Sequence, residues 1–183
     1  KELTDFVAEA KIPLIFGAPA YERTPDGGHV LFNRAYLVAP SGEEAAYDKE
    51  HLVPFGEYVP FGEHLAFLHK LVQGVGDFQP GHAENPLRVG RLALGGLICY
   101  EAIFPELAQQ RVTAGANLLV NISNDAWFGD SAAPRQHLDL ALLRAVEQGR
   151  ALVRGTNTGI SAVIDPRGRI MAQGGLFTAL TLP

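Results

Sequence analysis

Apolar residues open the chain at helical spacing. Leu3, Phe6, Val7 and Ala10 fall at i, i+3, i+4 and i+7, which predicts an amphipathic helix over residues 2–11. Pro13 ends that pattern, and the apolar run Leu14-Ile15-Phe16 reads as a buried strand. The turn Pro25-Asp26-Gly27-Gly28 leads into a strand over residues 29–39, and Pro40-Ser41-Gly42 turns again into a short strand. A loop then runs from Asp48 to Gly62, and residues 63–73 are expected to be helical. Residues 87–98 read as two strands, or one bent strand, pausing at Gly90-Arg91. Phe104-Pro105-Glu106 starts a helix that Gly115 ends, with proline in the first turn where its missing N–H costs nothing. Asn117–Ile122 is a strand followed by a polar and aromatic loop, and Pro134 opens a long helix reaching Gly149. Three short strands follow near 151–155, 160–165 and 169–172, the last two joined by Asp165-Pro166-Arg167-Gly168. Strands alternate with helices while hairpins intervene, so the fold class is α/β with a mixed sheet.

Length and charge narrow the function. A chain of 183 residues suits one domain with a substantial core. Its net charge is −5 and no Lys/Arg cluster occurs, which excludes a basic nucleic-acid face. One cysteine excludes an internal disulfide, and the six histidines show no metal-ligand spacing, so neither a metal nor another cofactor is expected. No apolar run approaches the ~18–20 residues that cross a bilayer, and no signal peptide is visible. The chain starts at Lys1 inside what reads as a mid-domain helix, so a piece truncated at both ends of a longer protein is expected.

Three segments carry candidate chemistry. Cys99 ends the buried run Leu92 to Ile98 and precedes a helix; a nucleophile at such a turn is rigid and close to backbone N–H groups. Gly95 and Gly96 would permit close approach of backbone or substrate. The alternative for a free cysteine is simple packing in the core. Lys49 sits in a long loop, Asp48-Lys49-Glu50-His51-Leu52-Val53-Pro54-Phe55-Gly56-Glu57, where the bland reading is a solvated charge. A loop of that length usually serves a function, and an ammonium near a thiol favours thiolate and stabilises an oxyanion. The third segment, Asn121 to Gly129, is either a polar turn with Trp127 packed as core or part of a site.

The segments LICYE at Cys99, KEHLVPFGE from Lys49 and SNDAWFG around Trp127 resemble the nitrilase superfamily of carbon–nitrogen hydrolases. Together with a QH-containing helix running to Arg150 and the segment TNTG, they are similar to its apolipoprotein N-acyltransferase branch. The resemblance covers nearly the whole chain. It implies an α-β-β-α sandwich and a Glu-Lys-Cys triad. In such a triad Cys99 would attack an acyl ester of a phospholipid to give a thioester, and Lys49 would support the oxyanion. The implied acceptor is the amino group of a diacylglyceryl-cysteine apolipoprotein. The resemblance further implies a bacterial inner-membrane parent with this domain on the periplasmic side.

Glu57 matches a second glutamate of the branch, one that orients Lys49 or the substrate. Tyr100, Glu101 and Trp127 are assigned to substrate binding. The branch's base glutamate ends a strand that precedes the helix with which this chain begins, and Glu2, Glu9 and Glu22 do not occupy that place. This chain alone is therefore expected not to turn over. Two rival readings stand beside the acyltransferase: a soluble amidase acting on small amides, and a non-catalytic binding fragment. Aromatic residues at Phe55, Tyr58, Phe61 and Phe67 suit lipid chains better than a small-amide pocket.

Overall fold

The computed structural model describes residues 2–60, 77–82 and 86–182. The helix expected over 63–73, with Phe61 and Phe67, lies outside them. In chain order the elements begin with α1 (Glu2–Ala10), β1 (Leu14–Arg23), β2 (His29–Val38) and β3 (Glu44–Asp48). Next come β4 (Leu87–Val89), β5 (Leu92–Ile98) and a 3-10 turn (Cys99–Ile103). Then follow α2 (Pro105–Thr113), β6 (Leu118–Ser123), a second 3-10 turn (Ala126–Phe128) and α3 (Ala133–Gln148). The described chain closes with β7 (Ala151–Thr156), β8 (Ala162–Ile164) and β9 (Ile170–Gln173).

Two sheets result. The first, β1-β2-β3, is antiparallel throughout. The second runs β4 to β9 in sequence order, with β5, β6 and β7 parallel and the flanking pairs antiparallel. The mixed sheet expected from the sequence is therefore present. β1 is longer than its apolar run, reaching Arg23 through Pro19. Proline is tolerated there because β1 is an edge strand and one side of it needs no ladder donor.

Alternation along β5 sorts its side chains between two cores. Leu94 and Ile98 join Ala35, Leu37, Tyr47 and Val120 between the sheets. Leu97 joins Leu107, Ala108, Leu119, Leu138, Ala141 and Leu152 between the larger sheet and its helices. This period of two is what a strand buried on both faces requires. Gly95 and Gly96 serve close approach within the protein. A Cβ at Gly95 would lie 2.8 Å from Cβ of Arg111 on α2, and one at Gly96 would lie 3.0 Å from the Tyr47 ring. The two glycines let a helix and the opposite sheet close on the strand that delivers Cys99.

Candidate active site

Cys99 follows directly on β5 and adopts φ of 52°. A side chain in that left-handed region costs about 1 kcal/mol and persists only where its surroundings hold it. Here the Cys99 carbonyl is held from below, with Asn121 Nδ2 donating at 3.4 Å and His137 Nε2 at 3.1 Å. The residue itself is half-buried, packed against the core between the sheets.

Lys49 stands one residue beyond β3 and extends its ladder, its N–H donating to the Asn33 carbonyl at 2.8 Å. The side chain is 1% exposed, which removes the reading as a solvated surface charge. Its Nζ donates to Glu57 Oε2 at 2.7 Å. Glu57 in turn accepts from Asn33 Nδ2 and from the Val53 N–H, each at 2.7 Å. One carboxylate thus fixes the ammonium, the neighbouring strand and the loop that carries it. Gly81 N–H closes onto the Lys49 carbonyl at 2.8 Å.

Glu101 ties the two halves together. Its Oε1 accepts from Glu50 N–H at 2.7 Å, His51 N–H at 3.1 Å and Tyr47 OH at 2.8 Å. Its Oε2 accepts from Ile98 N–H at 2.7 Å. The residue after Lys49 and the residue before Cys99 therefore hang on the same carboxylate. Burial pushes the Glu101 carboxyl above the usual range, against four donors that favour its ionised form. Burial and the Glu101 charge likewise raise the Tyr47 phenol well above its ordinary value. Arg111 backs this assembly, donating to Tyr47 OH at 2.6 Å, to Gly96 O at 3.2 Å and to Glu50 Oε1.

Glu101, expected at the substrate, is fully buried, and protein donors reach both of its oxygens. Tyr100 is half-buried, its ring edge-on to Phe104 at 5.0 Å. Trp127 is 80% exposed, so it is not the core residue that its segment also allowed.

A third group joins Asn121 and Asp125 of the third candidate segment to His137 and Arg154, which the sequence did not single out. Asn121, Asp125, His137 and Arg154 are all buried beneath the Cys99 turn. Arg154 Nη2 donates to Asp125 Oδ2 at 2.6 Å, and Arg154 Nη1 donates to Asn121 Oδ1. Ser123 Oγ donates to Asp125 Oδ1 at 2.5 Å, and His137 Nδ1 lies 3.2 Å from that oxygen. Burial alone would raise the Asp125 carboxyl, but contact with His137, the Arg154 charge and Ser123 hold it down at about 2. Burial lowers the Arg154 guanidinium, against the raising influence of Asp125. Gly159 is required beside this group, because a Cβ there would collide with the Asp125 carboxylate. The sequence signals were present in QH, SNDAWFG and TNTG, but each polar residue alone is indistinguishable from a turn or surface residue. Among the described residues no group of three or more His, Cys, Asp or Glu side chains is gathered as for a metal ion.

Cys99, in a left-handed turn after β5, and the buried Lys49, just beyond β3, are thus tied to each other through the Glu101 carboxylate. Residues 1–182 match the family described as Carbon-nitrogen hydrolase, and the chain belongs to that family. An apolipoprotein N-acyltransferase from Geobacter metallireducens is 48% identical over 176 residues, 95% of this chain and 33% of that protein. Another from Haemophilus influenzae is 45% identical over 138 residues, 74% of this chain and 26% of its own length. The chain thus spans about a third or less of these curated relatives.

Among solved structures, a carbon-nitrogen hydrolase from Helicobacter pylori G27 aligns with a TM-score of 0.68 at 19% identity, covering 94% of this chain and 61% of the other. A mutant amidase from Nesterenkonia sp. AN1, with the acetamide moiety of fluoroacetamide added at its active-site cysteine, aligns at 0.66 with 24% identity. That alignment covers 96% of this chain and 61% of the amidase. These likenesses show the fold, the nitrilase-like α-β-β-α sandwich.

Proposed function

We propose that this chain is part of the catalytic domain of an apolipoprotein N-acyltransferase, with Cys99 as nucleophile and Lys49 as its cationic partner. The observation that carries the reading is the Glu101 carboxylate, which binds the amides beside Lys49 and beside Cys99 at once. Relatives of that name at 45–48% identity favour acyl transfer over small-amide hydrolysis. Trp127 and Phe55, 80% and 56% exposed, offer apolar surface to lipid.

In the proposed reaction Cys99 Sγ attacks the ester carbonyl of a phospholipid. The oxyanion that forms is balanced by the Lys49 ammonium and by the N–H of Tyr100, the position after the nucleophile. Collapse breaks the carbon–oxygen bond, and the lysophospholipid leaves as an alcohol once it takes a proton. The α-amino group of a diacylglyceryl-cysteine apolipoprotein then attacks the thioester, forming the amide and returning the thiol. Covalent catalysis of this kind splits one difficult transfer into two easier ones.

The proton must be moved by a base, and the nearby glutamates are engaged elsewhere. Glu57 holds Lys49, Glu101 holds four donors, and Glu50 is paired with Arg111. We place the base glutamate of the triad outside these residues. The parent is an inner-membrane protein with this domain on the periplasmic side, although no helix among the described residues is long and apolar enough to cross a membrane.

The test is phospholipid-to-lipopeptide acyl transfer by the full-length protein and by residues 1–183 alone. Activity is expected only in the former, since general acid–base help is worth ~10²–10⁴ in rate. Ammonia release from small amides without acyl transfer would overturn the reading.

A further inference from the structure

Asn121, Asp125, His137 and Arg154 are buried polar groups that the reaction above leaves without a role. Burying them is costly unless each is paired, and such networks usually hold one specific arrangement. They come from β6, the loop after it, α3 and β7. Two of them, Asn121 and His137, donate to one atom, the carbonyl oxygen of Cys99, while Asp125 and Arg154 hold those two.

A carbonyl can only accept, so the His137 nitrogen 3.1 Å away must carry a hydrogen. The other ring nitrogen faces two partners, Asp125 Oδ1 at 3.2 Å and Arg154 Nη2 at 3.1 Å. As neutral imidazole it accepts from Arg154; as imidazolium it donates to Asp125. Either way the ring keeps its orientation and Nε2–H stays aimed at Cys99. The Phe128 ring packs edge-on at 5.8 Å and adds no competing charge.

The consequence lies in the peptide that follows Cys99. No cis bond occurs among the described residues, and in a trans peptide the C=O and the next N–H point in opposite directions. Pulling the Cys99 carbonyl down into the cluster therefore turns the Tyr100 N–H the other way, out of it. It also stabilises the left-handed Cys99 backbone that would otherwise relax.

We propose that His137 is a positioning residue for the nucleophile. Through its Nε2–H, oriented by Asp125 and Arg154, it holds the turn that presents Cys99 Sγ and the Tyr100 N–H to the acyl group. The proposal rests on Cys99 being the nucleophile.

The experiment measures single-turnover acylation of the full-length protein by phospholipid, read by intact mass, in wild type, His137→Leu and His137→Gln. Leucine cannot donate, whereas glutamine places an N–H at similar reach. His137→Leu should acylate about 10²-fold more slowly, the size of effect that misplacing a reacting group produces, with the phospholipid KM little changed. His137→Gln should recover most of that loss. Wild-type acylation in His137→Leu, or no recovery in His137→Gln, would overturn the proposal. If His137→Leu does not fold, ¹⁵N-histidine NMR of the wild type decides: Nε2 should be protonated at neutral pH, and a tautomer protonated only at Nδ1 would refute it. Absence of any acyl-enzyme in folded wild type would instead refute the nucleophile reading itself.

Discussion

Lys49 Nζ lies 2.7 Å from Glu57 Oε2, with the lysine almost wholly buried and the glutamate nearly so. An ammonium sealed from water needs its counter-charge, and removing one partner of such a pair costs ~3–5 kcal/mol. Glu57→Ala should therefore destabilise the protein by about 3 kcal/mol in urea unfolding. It should also abolish acyl transfer, because the ammonium loses its anchor. A loss below about 0.5 kcal/mol, the scale of an ordinary surface substitution, would show that the pair is not buried in solution.

Lys49→Met tests the charge itself. Methionine fills similar volume but leaves Glu57 without its counter-charge, so stability should fall as in Glu57→Ala. Transition-state stabilisation in the folded protein should fall by the ~2.7–4 kcal/mol that one oxyanion donor supplies. Acyl transfer should drop by about 10²–10³. Near-normal turnover would assign the lysine a structural role only.

The fold was legible in the sequence wherever period and punctuation agreed. Pro105 opened α2, Gly149 with φ of 59° closed α3, and Asp165-Pro166-Arg167-Gly168 joined the last two strands. The apolar run Leu14-Ile15-Phe16 marks only the start of β1, which continues through Pro19 because an edge strand tolerates proline. Cys99, Lys49 and Glu57 stand in contiguous motifs, which is why the sequence singles them out as candidates. The contacts of Glu101 are not legible in the sequence, because its partners Glu50 and His51 lie 51 and 50 residues away. The Asp125–His137–Arg154 group was missed for the same reason: three elements must fold before those residues meet.

Asp125 sets a pH limit. Its carboxyl is held at about 2 against an ordinary 3.8, so the folded state favours the ionised form. The resulting stability, on the order of 2 kcal/mol, is full above pH 4 and is lost as pH falls towards 2. Asp125→Asn should lose ~3–5 kcal/mol at neutral pH by leaving Arg154 buried and unpaired. Its stability should also fall less steeply than that of the wild type below pH 4. Equal acid slopes would show that Asp125 does not carry this effect.

The exposed aromatics Phe55 and Trp127 should contribute to lipid contact rather than to the core. Replacing both with serine is expected to shift stability by no more than about 0.5 kcal/mol for each surface site. Retention on phospholipid micelles should weaken. A large fall in melting temperature would place them in the core instead.

The central claim is that Cys99 carries the acyl chain. Full-length protein incubated with phospholipid and no lipopeptide should gain the mass of one fatty acyl group on the Cys99 peptide. Hydroxylamine should remove it, and Cys99→Ala should show none of it. Acyl transfer to lipopeptide that proceeds with no adduct at Cys99, or that survives Cys99→Ala, would contradict the account.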